Sequence, residues 1–490
     1  MDHDVIYDKR NPRSIEAYAT RLIGKTFYDI IEDTKKNEMV MADRVKFYGN
    51  VARKGGLGNL LEELYFGYKI NSDQEADFKE AGVELKVTPY EYTKKGELRA
   101  GERLVITMIG YDSPFEMDFY KSHLWNKIRM MLLVYYWRNK ELKNNLLYKI
   151  GYVRLFRLPT VDIEIIKQDY EIIKNKIISG YAHELSESDT MYLGACTKGA
   201  TSAKSTVPQY YNKNILARKR AFCLKNSYMT YVLNHYIVGS AVEDERIIKD
   251  DHHLFDKMTF EMCIKRKISR FSGLSDKELC EKFGRVYNNN KAQWVDLAYK
   301  MLGIKSNRAE EFEKANIVVK TIRIEENGNI KESMSFPPFQ FRKLAKEKFE
   351  DSEIYQYFDE VRFFFVIWKK VGDVYQVWDS QLWNMPSYDL EHTVRIGWEK
   401  IRSVIVQGIH FNKKQTKKGM IITNNLPKKA DNPIIHIRPH AQNSAYRLQD
   451  GTVIGNVDKD ANELPNGEYM TTQSFWINNN YLLKQIDCLK

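Results

Sequence analysis

Apolar residues recur at three-to-four spacing through SIEAYATRLIGKTFYDII and again through LGNLLEELYFG from Leu57, which predicts amphipathic helices on either side of a Gly-rich basic loop, ARKGGLG. From Gly82 the period falls to two, or apolar residues run unbroken for a few positions. VELKVTPY, ERLVITMIG, MMLLVYYW and YVRLFRL are each bounded by charged or turn-forming residues and predict the strands of a mixed sheet. DIEIIKQDYEIIKNKIISG returns to helical spacing, with Asp162 as the predicted N-cap and Gly180 as the stop. Short strands follow at MYLGAC and RAFCLK. Helices, sheet, helix and strands in that order predict an α/β domain over residues 1–240.

The segment VEDERIIKDDHHLFDK is charged and lacks a clean period, which predicts a linker over residues 241–264. Its Asp250, Asp251, His252 and His253 are metal-ligating types, but no further ligand lies at useful spacing, so a solvated linker is the preferred reading. Beyond it, residues 265–490 repeat the first half. EEFEKANIVVKTI overlays ADFKEAGVELKVT, WVDLAYKMLG overlays LGNLLEELYFG, and VRFFFVIW overlays IRMMLLVYYW. Further on, IIHIRPHAQN overlays YLGACTKGAT, and SFWINNNYLL overlays AFCLKNSYMT. Anchors kept in this order predict two tandem domains of one architecture.

Composition narrows the class. With 43% hydrophobic and 13% aromatic residues in 490, the chain buries enough apolar surface to fold. A net charge of +11 suits a polyanionic partner. The five cysteines are scattered without a CxxC, which indicates neither a disulfide framework nor a thiolate zinc site and points to a reducing compartment. MMLLVYYW is far too short to span a membrane, so a cytoplasmic location without membrane attachment is expected.

The chemistry concentrates in DFKEAGVELK. Residues two apart on a strand share a face, so Glu84 and Lys86 stand side by side while Leu85 faces the core. Glu80, Ala81 and Gly82 provide a turn that returns Asp77 to Glu84. Two carboxylates and the Leu85 carbonyl form a hard oxygen site of the kind Mg2+ takes. Such an ion polarises a phosphate and acidifies a water, and Lys86 would orient that water or stabilise the developing charge, which together are the requirements of phosphodiester hydrolysis. Glu62, on the preceding helix, is either a further supporting acid or an exposed helix residue. The triplet alone is unspecific, since ELK recurs at Glu141–Lys143 in a polar stretch expected to be surface. The internal copy discriminates: Glu84 is matched by Val318, Glu62 by Ala298 and Asp77 by Glu311, and only Lys86 keeps its counterpart, Lys320. The second half is therefore expected to bind rather than cut.

KGGLGNLLE followed by DFKEAGVELK resembles the MutH-like endonucleases and their type II restriction relatives. SHLWNKI, AHELSESDTMYLGACTKGA and RAFCLKNSYMT extend the resemblance, and KESMSF, IRPHAQN and MTTQSFWINN are similar to the restriction branch, so nearly the whole chain is covered. The resemblance implies two tandem restriction-endonuclease-like, or PD-(D/E)xK, domains, each a mixed sheet flanked by helices, the second catalytically degenerate. It implies a Mg2+-dependent enzyme cutting both strands of duplex DNA at 5′-GATC-3′ before the G. Asp77 and Glu84 would ligate the metal, Lys86 would serve the nucleophile, Glu62 would support the metal site and Lys127 would contact the reacting phosphate region. Lys54 and Gly55 would approach bases. Cys196 and Thr197 stand where the mismatch-repair branch has an Arg-Pro pair, which the second half keeps at Arg438 and Pro439. Lys198 and Lys225 remain for phosphates or bases. A DNA-induced dimer and a companion DNA methyltransferase are further implications. A strand-nicking repair nuclease and a non-catalytic GATC-binding protein are the alternatives.

Overall fold

The computed structural model describes residues 7–34, 38–50, 55–68, 75–93, 96–198, 205–239, 245–248, 258–288, 290–416 and 419–486. Lys54, the Asp250–His253 cluster and Cys488 lie outside them. Contacts divide the chain into two units. One holds residues 1–259 and Arg308–Asn316, the other Phe260–Asn307 and Ile317–Lys490.

In the first unit, α1 (Pro12–Ala19) starts at Asn11, whose side chain accepts from the Arg13 N–H. A reciprocal capping box between Thr26 and Asp29 then starts α2 (Phe27–Glu32). The long helical pattern of SIEAYATRLIGKTFYDII is thus broken by a turn containing Gly24, at φ +89. Next come α3 (Glu38–Tyr48) and α4 (Gly56–Leu60), the latter running into a π-helical turn at Leu61–Tyr65. The strands are β1 (Glu84–Tyr92), β2 (Leu98–Ala100), β3 (Leu104–Met108), β4 (Met131–Trp137) and β5 (Lys149–Phe156), with α5 (His123–Ile128) before β4. They are followed by α6 (Thr160–Ile178), β6 (Leu193–Thr197), β7 (Arg220–Leu224) and α7 (Asn226–Tyr231).

The strands do not form one sheet. One sheet has the order β2-β1-β4-β5 and a second the order β3-β7-β6. β1 and β4 are parallel, Glu84 opposite Met131, while β4 and β5 are antiparallel. Leu85, Leu132, Val134 and Ile150 of the first sheet pack with Phe27, Leu60, Phe66 and Phe78 in one core, so alternation along β1 holds Leu85 inward. Gly180, at φ +80, ends α6 as expected, but Asp162 does not cap it: Pro159 occupies the cap, and Asp162 is buried in the first turn.

The second unit contains α8 (Phe260–Ser269), α9 (Asp276–Lys282) and α10 (Lys291–Leu302), the last closed by Gly303 at φ +81. The helix α11 (Glu310–Ala315) that follows packs in the first unit, on α7. Then come β8 (Ile317–Ile324), β9 (Met334–Phe339), α12 (Glu353–Glu360), β10 (Arg362–Val371), β11 (Val374–Trp383), α13 (Arg395–Gln407), β12 (Ile435–Pro439) and β13 (Gln473–Ile477). Its sheets run β8-β10-β11 and β9-β13-β12, the same orders as β1-β4-β5 and β3-β7-β6. Register follows the sequence overlay: Val318 pairs with Phe363 where Glu84 pairs with Met131, and Arg438 pairs with Ser474 where Cys196 pairs with Ala221. Even the helix starts agree, since Ser122 and Ser352 each cap with the hydroxyl accepting an N–H three residues on, from Trp125 and Tyr355.

Among the described residues no helix is long and apolar enough to cross a membrane. Cys196, Cys223, Cys263 and Cys280 are free and buried.

Candidate active site

The site is built on the turn that enters β1. The Phe78 N–H donates to the Val83 carbonyl at 2.9 Å, and the Gly82 N–H to the Phe78 carbonyl at 2.8 Å. Gly82 adopts φ +64, a left-handed conformation that favours glycine in this tight return. Asp77 is thereby carried back to β1, where its Oδ2 accepts the Leu85 N–H at 2.8 Å. The peptide N–H of Leu85 thus faces Asp77.

Glu84 is 2% exposed. Its Oε1 accepts from Lys86 Nζ at 2.8 Å and from Lys127 Nζ at 3.0 Å, and its Oε2 accepts from Lys127 at 3.2 Å. Lys127 reaches Glu84 from α5, which packs on β3. A carboxylate this buried requires compensating charge, and two ammonium groups provide it.

Glu62 sits in the π-helical turn, where the Phe66 N–H reaches the Leu61 carbonyl at 2.9 Å, and such turns re-aim side chains at functional sites. Burial first, then the charge of Asp77, raises the Glu62 carboxyl to about 7 against the pull of Lys86. Burial and the Glu84 charge raise Asp77 as well, opposed by the Leu85 hydrogen bond. Glu62, Asp77, Glu84, Lys86 and Lys127 therefore form one electrostatic cluster. Among the described residues, however, no three His, Cys, Asp or Glu side chains converge at metal-binding distance.

The other sequence-predicted residues are dispersed. Gly55, at φ +82, precedes α4 in a left-handed conformation that favours glycine. Lys198 is partly exposed just past β6. Lys225 is 2% exposed with its ammonium donating to the Thr190 carbonyl, so in this structure it is a buried cation rather than a group free to meet phosphates. It lies near Asp169, which accepts the N–H groups of Met191, Tyr192 and Leu193 at 2.7, 2.7 and 2.9 Å and anchors the start of β6. Arg438 and Pro439 are exposed at the end of β12, the guanidinium 5.2 Å from the Trp476 ring centre. The decoy triplet at Glu141–Lys143 is a surface turn.

Sequence reasoning missed the ion pair of Lys127 with Glu84, although SHLWNKI was singled out. The serine cap and the helical spacing that place Lys127 beside Glu84 were the available signal.

In the second unit the cluster is dismantled. Val318 and Tyr357, which stand where Glu84 and Lys127 stand, pack against the apolar core. Glu311, the overlay partner of Asp77, belongs to the first unit, where its carboxylate accepts the Ile247 and Ile248 N–H groups at 3.0 Å.

Comparison with known proteins decides the family. Residues 66–169, which include Asp77, Glu84, Lys86 and Lys127, match the family model of the DNA mismatch repair enzyme MutH. The chain is 36% identical over 462 residues to the type II restriction enzyme Sau3AI of Staphylococcus aureus, covering 89% of this chain and 93% of that protein. The chain belongs to the MutH-like type II restriction endonucleases. It is a site-specific DNA endonuclease, and its kinship to the restriction enzyme extends through both halves.

Proposed function

We propose that the chain hydrolyses both strands of duplex DNA at 5′-GATC-3′, before the G, using Mg2+, with the active site in the domain at 1–240 and a second copy of the site held by an effector domain at 265–490. The observation that carries this reading is the convergence of Asp77, Glu84 and Lys86 through the Gly82 turn. The repeated strand order and the loss of the acids in the second unit support two restriction-endonuclease-like domains, one of which no longer cuts.

The donor set fits a hard divalent cation. Glu84 presents two oxygens to positive charge, and Asp77 Oδ1 has no partner among the described residues. Mg2+ retains several waters, so two carboxylates and the Leu85 carbonyl would hold it without a third acid. When bound there, the ion supplies positive charge to the scissile phosphate and acidifies a water. Lys86, which pairs with Glu84 here, would hold its ammonium beside the attacking oxygen, and Lys127 would serve a non-bridging phosphate oxygen. Glu62, on the neighbouring π-helical turn, would accept a hydrogen bond from a water held at this site.

GATC follows from the resemblance of KGGLGNLLE and DFKEAGVELK to GATC-cutting enzymes. Base and phosphate contacts are assigned to the loop of Lys54 and Gly55, to Lys198, and in the second domain to Arg438 and Pro439. Lys225 is left out because it is buried. A two-fold symmetric site also calls for a second cutting centre, which a DNA-bound dimer would bring. A companion methyltransferase would protect the host's own GATC sites.

The test is digestion of unmethylated plasmids carrying one or two GATC sites, with Mg2+ or EDTA and the ends mapped. The expected result is Mg2+-dependent linear DNA with ends beginning at the G, formed faster from the two-site plasmid. Nicked circles as the final product, or ends away from GATC, would contradict the reading.

A further inference from the structure

Beside Lys320, the counterpart of Lys86, the second unit has a cavity of about 330 Å³. Four basic side chains line it, Lys291, Lys320, Arg323 and Lys331, against one acid, Glu332. Glu332 lies 3.4 Å from Arg323, and four bases less one acid leave three positive charges around the space. Lys320 occupies the strand position of Lys86, pairing with Phe365 as Lys86 pairs with Leu133. Lys86 pairs with Glu84, whereas Lys320 has no ion pair among the described residues and burial lowers its proton affinity. A half-buried ammonium without a counter-ion is costly unless a ligand supplies the charge.

The wall opposite β8 includes Trp476 of β13, whose ring carries Arg438 at 5.2 Å. Trp476 thus links the lining of the cavity to the exposed Arg438, a residue type suited to reading a base.

We propose that this cavity holds a phosphate group directly on Lys320 and its basic neighbours, without a metal ion. The degenerate site would grip the phosphate position that the first unit cuts. The proposal rests on the reading of the second domain as a DNA binder and adds the ligand chemistry: a phosphodiester of the duplex, or a free phosphate of the same charge type.

The experiment is acetylation footprinting of the full chain in EDTA, with Lys320 followed by mass spectrometry, alone, with a GATC duplex and with inorganic phosphate. The expected result is at least fivefold protection of Lys320 by the duplex. Protection by inorganic phosphate as well identifies a general phosphate pocket, and protection by the duplex alone identifies the DNA backbone; either sustains the proposal. Lys320→Met should lower the salt dependence of duplex binding by about one unit of slope, as expected for one lost phosphate contact. A duplex that is retarded while Lys320 is modified at the free rate, with phosphate also without effect, overturns the pocket and leaves the nuclease reading standing. Phosphate protection with no duplex retarded keeps the pocket and removes the DNA-effector reading.

Discussion

Asp77→Asn and Glu84→Gln are each expected to lower Mg2+-supported DNA cutting at least about a thousandfold, close to 4 kcal/mol of transition-state stabilisation, while a GATC duplex is still retarded. The two variants fail for the same reason at different structural cost. Asn at 77 can still accept the Leu85 N–H, so the turn over Gly82 survives and only the negative charge is removed. Gln at 84 leaves Lys86 and Lys127, with side chains only 17% and 12% exposed, facing a neutral amide. Glu84→Gln is therefore expected to lower the melting temperature as well, and Asp77→Asn much less. Cutting at the wild-type rate by either variant would remove the active-site assignment.

The largest effect on stability is expected from Lys314→Met. Lys314 is 0% exposed, and against that burial the carboxylates of Asp162 and Glu310 raise its proton affinity. Its ammonium lies 2.8 and 2.9 Å from the Asp162 oxygens and 2.7 Å from Glu310, and 4.8 Å from the Tyr231 ring centre. The Tyr228 hydroxyl completes the set on Asp162 at 2.9 Å. Removing one partner of such a pair strands a buried charge and costs about 3–5 kcal/mol, a large fraction of the stability of an ordinary domain. Urea unfolding should show that loss, and Lys314→Met combined with Asp162→Asn should recover part of it. A single-variant loss below about 1 kcal/mol would mean that α11 is not anchored by this pair.

That ion pair also marks where sequence reading stops. Asp162 stands one residue before an apolar helical repeat, and an acid there reads as a cap. Its partner lies 152 residues away, on a helix whose own pattern assigns it to the other half of the chain. Local period identifies elements, not which unit they join. The same limit split the strands: β3, β6 and β7 were legible as strands, but alternation carries no information about pairing, and they form their own sheet. Lys225 was expected to be available to phosphates or bases, and only the fold shows it turned to the Thr190 carbonyl.

The site itself was far more legible. Asp77, Gly82, Glu84 and Lys86 lie within ten residues, so period two and one turn suffice to bring them together. The overlay with Val318 set the copy proposed to cut apart from the other, and the β-ladder registers follow that overlay at both Val318 and Arg438. The reach of Lys127 from α5 to Glu84 needed the structure.

We place one metal-dependent cutting centre on the turn before β1 and none in the second unit. The most direct measurement replaces Mg2+ with Fe2+ in the DNA-bound full chain, adds ascorbate and peroxide, and maps where the protein backbone is broken. Breakage beside Asp77 and at Glu84–Leu85, lost in Glu84→Gln, is the predicted result. Breakage confined to Asp250–His253, or to the neighbourhood of Lys320, would contradict it.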